Sequence, residues 1–275
     1  MLLPLYRNGT FQKWSASLGL WFYDFIAGVE KKERRVMLSP KQALVAEPLL
    51  NPDKLTGAGM YYEYSTDDAR LVIDILKTAA ELDAVCFNYC RVHAFILENE
   101  KVAGVKFNDV FTGNEFEVKG TVVVNASGPW VDTLVRLDDR KRKRMLFHTK
   151  GVHIVVARER LPVKQSAYFD GIDGRLVFAI AHGNKTYIGT TDTTYTKDLA
   201  HPDITQEDVQ YLISAASARF PNAKLDLSDV ESAWAGIRPL IMEEGKKPSE
   251  ISRRDEVLVS AHGLITIAGG KLTGC

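Results

Sequence analysis

Apolar and polar positions follow two different periods along the chain, and their order predicts a mixed α/β fold. The clearest helical period lies in residues 66–82, where Thr66 is the expected N-cap and acidic residues occupy the first turn. The apolar positions of this stripe are Leu71, Val72, Ile75, Leu76, Ala79 and Leu82. Four β-prone runs come next, separated by turn-forming residues: 84–89, 91–98, 102–107 and 115–118. This region therefore predicts a helix followed by an antiparallel meander.

Two short runs, 121–125 and 264–268, are almost entirely apolar, which is typical of strands buried on both faces of a parallel sheet. Each run ends in a turn of small residues: Ala126–Ser127–Gly128–Pro129 and Gly269–Gly270–Lys271–Leu272–Thr273. A helix is expected to begin at Pro129, because the N–H that proline lacks would have no partner there. Open α/β sheets bind ligands where such strands end, so both turns are candidate binding elements.

From about residue 146 the apolar residues alternate, which predicts an antiparallel sheet. The expected strands are 152–157, 176–181 and 185–190. The last two are joined as a hairpin through Gly183–Asn184. Thr205 and Asp208 are spaced as a capping box for a helix that runs to Arg219.

A segment near the amino terminus is crowded with large apolar side chains: Trp14, Leu18, Leu20, Trp21, Phe22, Phe25 and Ile26. A basic run follows it: Lys31, Lys32, Arg34 and Arg35. Because these apolar residues nearly encircle a helix, we expect the helix to be buried in a core. The alternative is peripheral contact with a membrane, since aromatic residues beside cations are also typical of interfacial helices.

Composition excludes several classes of function. Basic and acidic residues number 35 each, so a net charge of zero gives no general electrostatic reason for nucleic-acid binding. Cys86, Cys90 and Cys275 have neither zinc-site spacing nor the density of a disulfide framework, which predicts a reducing compartment and no metal site. No run reaches about eighteen uncharged apolar residues, and the first residues lack a signal-peptide pattern. We therefore expect a cytoplasmic globular protein that recognises phosphate only locally.

Three cations lie on or beside turns rather than on solvated helix faces. Arg238 lies in the glycine-bearing turn 235–240, Lys271 lies in the second glycine turn, and Arg253 precedes an apolar run. Glycine lets a ligand approach the backbone, and a guanidinium suits a phosphate or a carboxylate. These positions predict a small anionic substrate.

The sequence offers no clear general base or nucleophile. His148 and His153 lie on or near a predicted strand, where a hydrogen-bonded structural histidine is the favoured interpretation. Asp192 fits an Asx turn at least as well as an acid in a site. The G-x-S-x-G pattern of serine hydrolases is absent.

Six ordered strings resemble the FAD-dependent glycerol-3-phosphate dehydrogenases: NASGPWVD (125–132), KGVHIVV (150–156), YIGTTDT (187–193), AGIRPL (235–240), ISR (251–253) and GGKLT (269–273). The opening residues also resemble this family, so the similarity covers essentially the whole chain. The resemblance implies a D-amino-acid-oxidase-like flavoprotein fold. It also implies oxidation of sn-glycerol 3-phosphate to dihydroxyacetone phosphate, with electrons passed from FAD to a membrane quinone.

The same resemblance implies roles for particular residues. Arg238 is the expected catalytic contact, and Arg253 and Lys271 assist it in binding the substrate. The expected FAD contacts are Val92, Ala126, Ser127, Gly128, Gly270, Lys271, Leu272 and Thr273. A fixed cation near C2 of the substrate suits the reaction, because it stabilises the developing alkoxide.

The resemblance also predicts an interleaved domain organisation. A substrate-domain or connecting helical segment covers 1–64, a partial FAD domain with a meander covers 65–145, an antiparallel substrate domain covers 146–250, and the chain returns to the FAD sheet at 251–275.

The chain departs from the family pattern at its start. The family opens with a strand, a G-x-G-x-x-G loop and a helix that bind the FAD pyrophosphate, and this unit is missing. We therefore expect the chain to be a middle piece that, alone, binds no FAD and turns over no substrate. Two alternatives stay open, a glycerol-3-phosphate oxidase that uses oxygen and a non-catalytic phosphate-binding scaffold. A homodimer is also left open.

Overall fold

The fold is described here from a computed structural model, which covers residues 1–242 and 255–270. The helices of these ranges are α1 (Lys13–Ile26), α2 (Pro40–Ala46), α3 (Asp68–Glu81), α4 (Val131–Asp138) and α5 (Gln206–Arg219). The strands are β1 (Leu2–Tyr6), β2 (Val36–Leu38), β3 (Leu55–Met60), β4 (Cys90–Glu98), β5 (Lys101–Asp109), β6 (Glu115–Lys119), β7 (Val124–Asn125), β8 (Leu146–Ala157), β9 (Ala167–Asp170), β10 (Leu176–His182), β11 (Lys185–Gly189), β12 (Thr193–Thr194), β13 (Val230–Ile241), β14 (Asp255–Val259) and β15 (Ile265–Gly269).

The chain divides into two compact units that interleave along the sequence. The first comprises 1–64, 150–193 and 201–236, and the second comprises 65–149, 194–200 and the described residues from 237 onward. The sequence-based segment 146–250 includes three described stretches that the structure assigns to the second unit: 146–149, 194–200 and 237–242. Backbone hydrogen bonds hold them there, from Tyr195 N–H to the His148 carbonyl and from Met242 N–H to the Met145 carbonyl. Which unit binds substrate and which binds cofactor stays a prediction.

A mostly antiparallel sheet organises the first unit. Its strand order is β12-β8-β11-β10-β9-β1-β3-β2, and β13 pairs with β8. The predicted hairpin is confirmed, because β10 and β11 pair with His182 opposite Lys185 across Gly183–Asn184. Val152, Ile154 and Val156 alternate into the core, as expected for a strand with one face packed.

Helix α5 covers the core face of this sheet, with Leu212, Ala215 and Ala216 buried. The predicted capping box is confirmed, because Thr205 Oγ1 accepts from the Asp208 N–H and Asp208 accepts from the Thr205 N–H. Asp208 also lies 2.5 Å from Lys150 Nζ, and both side chains are 6% exposed. Removing one partner from such a buried pair costs about 3–5 kcal/mol. This ion pair therefore fixes the start of α5 against β8.

The second unit contains two small sheets, the predicted meander β4-β5-β6 and the sheet β14-β15-β7. The predicted strand at 84–89 is wrong. These residues pair with no strand in the described ranges, and Val85 and Phe87 are exposed. An apolar, β-prone run forms a strand only where a neighbouring strand can accept its backbone hydrogen bonds.

The prediction that 121–125 is buried on both faces is also wrong. Only Val124 and Asn125 are in a strand, and Val122 and Val124 are 59% and 50% exposed. Within the described residues β7 pairs with β15 alone, so its other edge and one face lack packing.

Helix α3 confirms the predicted period and corrects its N-cap. Asp67, not Thr66, caps the helix, because the Asp67 carboxylate accepts from the Arg70 N–H. The apolar stripe is largely exposed, including Val72, Ile75 and Leu76. The period therefore identified the helix and its apolar face, but not what packs on that face.

The expected burial of residues 14–26 is wrong. Ala16 and Asp24 of α1 are the buried residues, and Ala16 packs with Leu3 and Leu5 of β1. The opposite face is apolar and exposed, with Trp14 at 74% and Phe25 at 72%. Ala16 and the half-buried Leu20, which lies against Gly59 of β3, attach this helix to the sheet, while most of its large apolar side chains are exposed. In the described part of the chain, no helix has both the length and the apolar character needed to span a bilayer.

Candidate functional site

Two turns lie at one edge of the parallel strand pair in the second unit. Val124 lies opposite Ile265 and Asn125 opposite Thr266, so β7 and β15 run in the same direction. The predicted strand at 264–268 is confirmed as β15. The turn that contains Ala126 to Trp130 follows β7, and Gly270 follows β15. Both turns are therefore at the carboxyl edge of this sheet, where α/β proteins bind nucleotides.

Glycine is required in both turns by the backbone. Gly128, Gly269 and Gly270 adopt φ angles of +55°, +76° and +85°. Other residues adopt such left-handed conformations at a cost of about 1–2 kcal/mol. A Cβ added to Gly128 would meet no atom within 4 Å. The backbone at Gly128 therefore faces open space and is accessible to a ligand.

The Asn125 side chain forms hydrogen bonds with residues on both sides of Gly128 in the first turn. Its side chain is buried, and its Nδ2 donates to the Val131 carbonyl at 3.2 Å. Its Oδ1 accepts from both the backbone N–H and the hydroxyl of Ser127, at 3.3 and 2.6 Å. One amide thus joins the residues before and after Gly128 and fixes the shape of the turn.

Residues at and just before the start of β8 form hydrogen bonds with the same turn and with the helix that follows it. Asp132, in the first turn of α4, accepts from the backbone N–H groups of Met145 and Leu146, each at 3.0 Å. His148 Nε2 lies 2.9 Å from the Pro129 carbonyl, and its Nδ1 lies 3.1 Å from Arg144 Nη2. Helix α4 begins after the short turn Gly128–Trp130, two residues later than expected.

The predicted site residues within the described ranges all belong to the second unit: Val92, Ala126, Ser127, Gly128, Arg238 and Gly270. Val92 lies on β4 beside a register shift, and Arg238 is half-buried near the end of β13. The positions of Arg253, Lys271, Leu272 and Thr273 lie outside the described residues. The convergence of Arg238 and Lys271 on one substrate therefore stays a prediction.

His153 has the structural environment expected from the sequence. Its ring stacks on Trp234 at 4.9 Å between centroids. A Cβ at Gly189 would lie 2.1 Å from His153 Cδ2, so this glycine leaves the room that the imidazole occupies. The His153 ring is thus packed between the Trp234 indole and the backbone of Gly189.

Asn125, Asp132 and His148 form a buried polar network that the sequence analysis did not identify as part of the site. The short spacing from Asn125 to Asp132 is visible in the sequence. The contact of His148 with Pro129 spans 19 residues, and it depends on β8 packing beside α4. Only the folded chain therefore reveals how the turn is held.

A cavity of about 200 Å³ lies elsewhere in the second unit, beside the turn that joins β14 to β15. His262 and Asp138 line it, with His262 Nδ1 and Asp138 Oδ1 2.9 Å apart. None of the predicted site residues within the described ranges lines this cavity. The candidate site is at the other, carboxyl end of β15.

The residues present at that end fit a flavin dinucleotide. A glycine turn with open space above its backbone accepts a flat or phosphorylated group, and it follows a parallel strand as nucleotide sites do. The chain matches the family of FAD-dependent oxidoreductases over residues 1–274. This chain belongs to the FAD-dependent oxidoreductase family.

Relatives within this family are similar over the whole of the chain. The aerobic glycerol-3-phosphate dehydrogenase of Bacillus subtilis (strain 168) is 52% identical over 274 residues, which cover 100% of this chain and 49% of that protein. The protein of the same name from Staphylococcus haemolyticus is 49% identical over 276 residues, which cover 100% of this chain and 50% of that protein. The chain therefore spans about half the length of the curated relatives it matches.

Solved structures of the family confirm the D-amino-acid-oxidase-like fold. The glycerol-3-phosphate dehydrogenase of Bacillus halodurans, complexed with FAD, is 44% identical with a TM-score of 0.83, covering 100% of this chain and 48% of that one. The L-α-glycerophosphate oxidase of Mycoplasma pneumoniae, with FAD bound, has a TM-score of 0.72 at 18% identity, covering 98% and 66% of the two chains. At that identity the second match shows the fold alone.

Proposed function

We propose that the protein containing this chain oxidises sn-glycerol 3-phosphate to dihydroxyacetone phosphate, with FAD as the hydride acceptor. The observation that carries this proposal is the match, at 44% identity over the whole chain, to a glycerol-3-phosphate dehydrogenase that contains FAD. The 52% identity to the Bacillus subtilis relative supports the same substrate.

The carboxyl edge of the second unit is the proposed FAD site. Ala126, Ser127 and Gly128 present their backbone to the cofactor, because the left-handed Gly128 leaves the turn open. Gly270 belongs to the neighbouring turn, and Val92 of β4 contacts the adenine side. Leu272 and Thr273 continue the second turn in this proposal.

Arg238 is the proposed catalytic residue. When bound, FAD supplies the acceptor for the hydride that leaves C2 of the substrate. The Arg238 guanidinium holds the C2 oxygen and stabilises the negative charge that develops there as its proton departs to solvent. Arg253 and Lys271 bind the phosphate, since a guanidinium donates in a fork and an ammonium acts as a compact charge. These residues orient the substrate, and the redox chemistry belongs to the cofactor.

Electrons leave the proposed enzyme through a quinone at a membrane surface. The exposed face of α1 supports peripheral membrane contact, because Trp14, Trp21 and Phe25 face solvent and the cations Lys31 and Lys32 follow the helix. We place the protein in the cytoplasm, at the inner face of the membrane. A homodimer remains part of the proposal.

A chimera tests the reaction directly. This chain would replace the matching segment of the Bacillus subtilis relative, because the match includes the whole of this chain and 49% of that protein. After reconstitution with FAD, we expect anaerobic glycerol 3-phosphate to bleach the flavin absorption, whereas glycerol, which lacks the phosphate, leaves it unchanged. An FAD-bound chimera that glycerol 3-phosphate fails to bleach would reject the proposed substrate.

The electron acceptor separates the dehydrogenase from the oxidase. A high yield of peroxide in air, with slow reduction of a soluble quinone analogue, would favour the oxidase.

FAD binding by the chain alone is a separate question. The chain alone is expected to purify without FAD, and a stoichiometric flavin spectrum in that sample would overturn this expectation.

A further inference from the structure

His148 connects two segments that the proposed FAD site needs in a fixed arrangement. It is buried at the start of β8, and its ring touches the turn after β7 through the Pro129 carbonyl, 2.9 Å from Nε2. Pro129 directly follows Gly128, the residue whose backbone faces open space. The imidazole is therefore hydrogen-bonded to the residue next to the backbone that is open to a ligand.

The partners of His148 determine its protonation state. A carbonyl oxygen accepts hydrogen bonds only, so Nε2 must carry the proton that is donated to Pro129. A guanidinium donates only, so Nδ1 must accept from Arg144 Nη2 at 3.1 Å and must carry no proton. The observed geometry thus requires the neutral Nε2–H tautomer.

Adding a second proton would remove the acceptor that Arg144 uses, while Nε2–H could still donate to Pro129. The new N–H on Nδ1 would point at the Arg144 guanidinium, which places two cations in contact. Asp132 is the acidic group that faces the pair, with its Oδ2 3.8 Å from Arg144 Nε, and it is already engaged by two backbone N–H groups.

Burial holds the pKa of the His148 imidazole below its ordinary value of 6.5. The hydrogen bond to Pro129 and the charge of Asp132 act against this shift, and Arg144 acts with it.

We propose that His148 is a positioning residue for the FAD-binding turn, and that repulsion between its protonated ring and Arg144 shifts the ring away from Pro129 and weakens FAD binding. This inference rests on the proposed function, because it takes the turn at Gly128 as the FAD site. In this role His148 acts through the Pro129 carbonyl and not by contact with cofactor or substrate.

The sign of the pH effect follows from the lowered pKa. The neutral imidazole is the form that can accept from Arg144 while donating to Pro129, so the full arrangement is present above about pH 7 and is lost as the pH falls through the lowered pKa, below about 6.5. We expect FAD affinity to decrease over that acidic range.

The test is the dissociation constant of FAD for the apo-chimera, measured by flavin fluorescence between about pH 8 and about pH 5.5. His148→Leu removes both hydrogen bonds, and we expect it to raise the constant at least tenfold at neutral pH. His148→Gln can still donate to Pro129 but does not titrate, so we expect affinity close to the original and no acidic loss. His182→Gln, at an exposed histidine of the first unit, is the matched control and should keep the pH dependence of the original.

The outcomes distinguish this inference from the proposed function. If the original chimera binds FAD and His148→Leu binds it equally well, or if His148→Gln keeps the acidic loss, the role of His148 is refuted while the proposed function stands. If the original chimera shows no loss of affinity in acid, the titration is refuted in the same way. A folded original chimera that binds no FAD at any pH refutes the proposed function and this inference together. Thermal unfolding of each variant identifies any loss of affinity that comes from loss of the fold.

Discussion

Arg238 and the polar residues around Gly128 have different tasks in the proposed site. In the proposal Arg238 acts on the substrate, and the turn at Gly128 contacts the cofactor. Asn125, Asp132 and His148 bond to the backbone of this turn or of the segments beside it, and so determine where the turn lies. Loss of Arg238 should therefore affect turnover, whereas loss of the buried network should affect cofactor affinity.

Replacement of Arg238 by alanine tests the first task. In the chimera, we expect Arg238→Ala to reduce kcat/KM for glycerol 3-phosphate at least about tenfold, or about 1.4 kcal/mol of transition-state stabilisation. FAD content should stay unchanged, because the proposed role of Arg238 is to contact the substrate. The control is Arg140→Ala, at an exposed arginine of the same unit. Equal kinetics for the two variants would remove Arg238 from the reaction.

Glycine positions could be read from the sequence, but the buried network could not. Turns of small residues after apolar runs already indicated Gly128 and Gly270 as binding elements. The bonds of Asp132 to Met145 and Leu146 join segments 13 and 14 residues apart. These bonds depend on tertiary packing, which the hydrophobic periodicity of the sequence does not reveal. Arg253 and Lys271 lie outside the described residues and stay predictions.

The helices show what a hydrophobic period can and cannot establish. The period located α3, the crowding of apolar residues located α1, and the capping box located the start of α5. In α1 Ala16 packs on β1, while most of the large apolar side chains are exposed. A period identifies an apolar face, and the tertiary structure decides whether that face is covered.

Vesicle binding tests the role of the exposed face of α1. We expect the chain to co-sediment with vesicles that contain anionic lipid, and less so at high salt, because Lys31 and Lys32 contribute electrostatically. The double variant Trp21→Glu/Phe25→Glu should reduce binding at least about tenfold without loss of thermal stability, since both side chains are exposed. Val45→Glu is the control, at an exposed valine of the same unit. Unchanged sedimentation of the double variant would exclude this face from membrane contact.

For the molecule as a whole, the sequence predicted the fold class correctly, and most of the strands that it predicted are present. The antiparallel sheet, the β10–β11 hairpin, the meander and β15 are as expected. The errors at 84–89 and 121–125 share a cause, because both runs were assigned from composition alone and strands need neighbours. The chain spans about half the length of its curated relatives, so an apolar run in it is no guarantee of a packed strand.

The most direct test of the proposed FAD site compares two glycines in the chimera. Gly128 and Gly113 both adopt left-handed φ angles, +55° and +73°, and a Cβ at either meets no atom within 4 Å. Alanine at each should therefore cost a similar amount of stability, about 1–2 kcal/mol.

Only the methyl group at position 128 would meet the cofactor. The account predicts that Gly128→Ala raises the dissociation constant of FAD at least about tenfold, or about 1.4 kcal/mol, while Gly113→Ala leaves it unchanged. Equal FAD affinities for the two variants would contradict the placement of the cofactor at this turn.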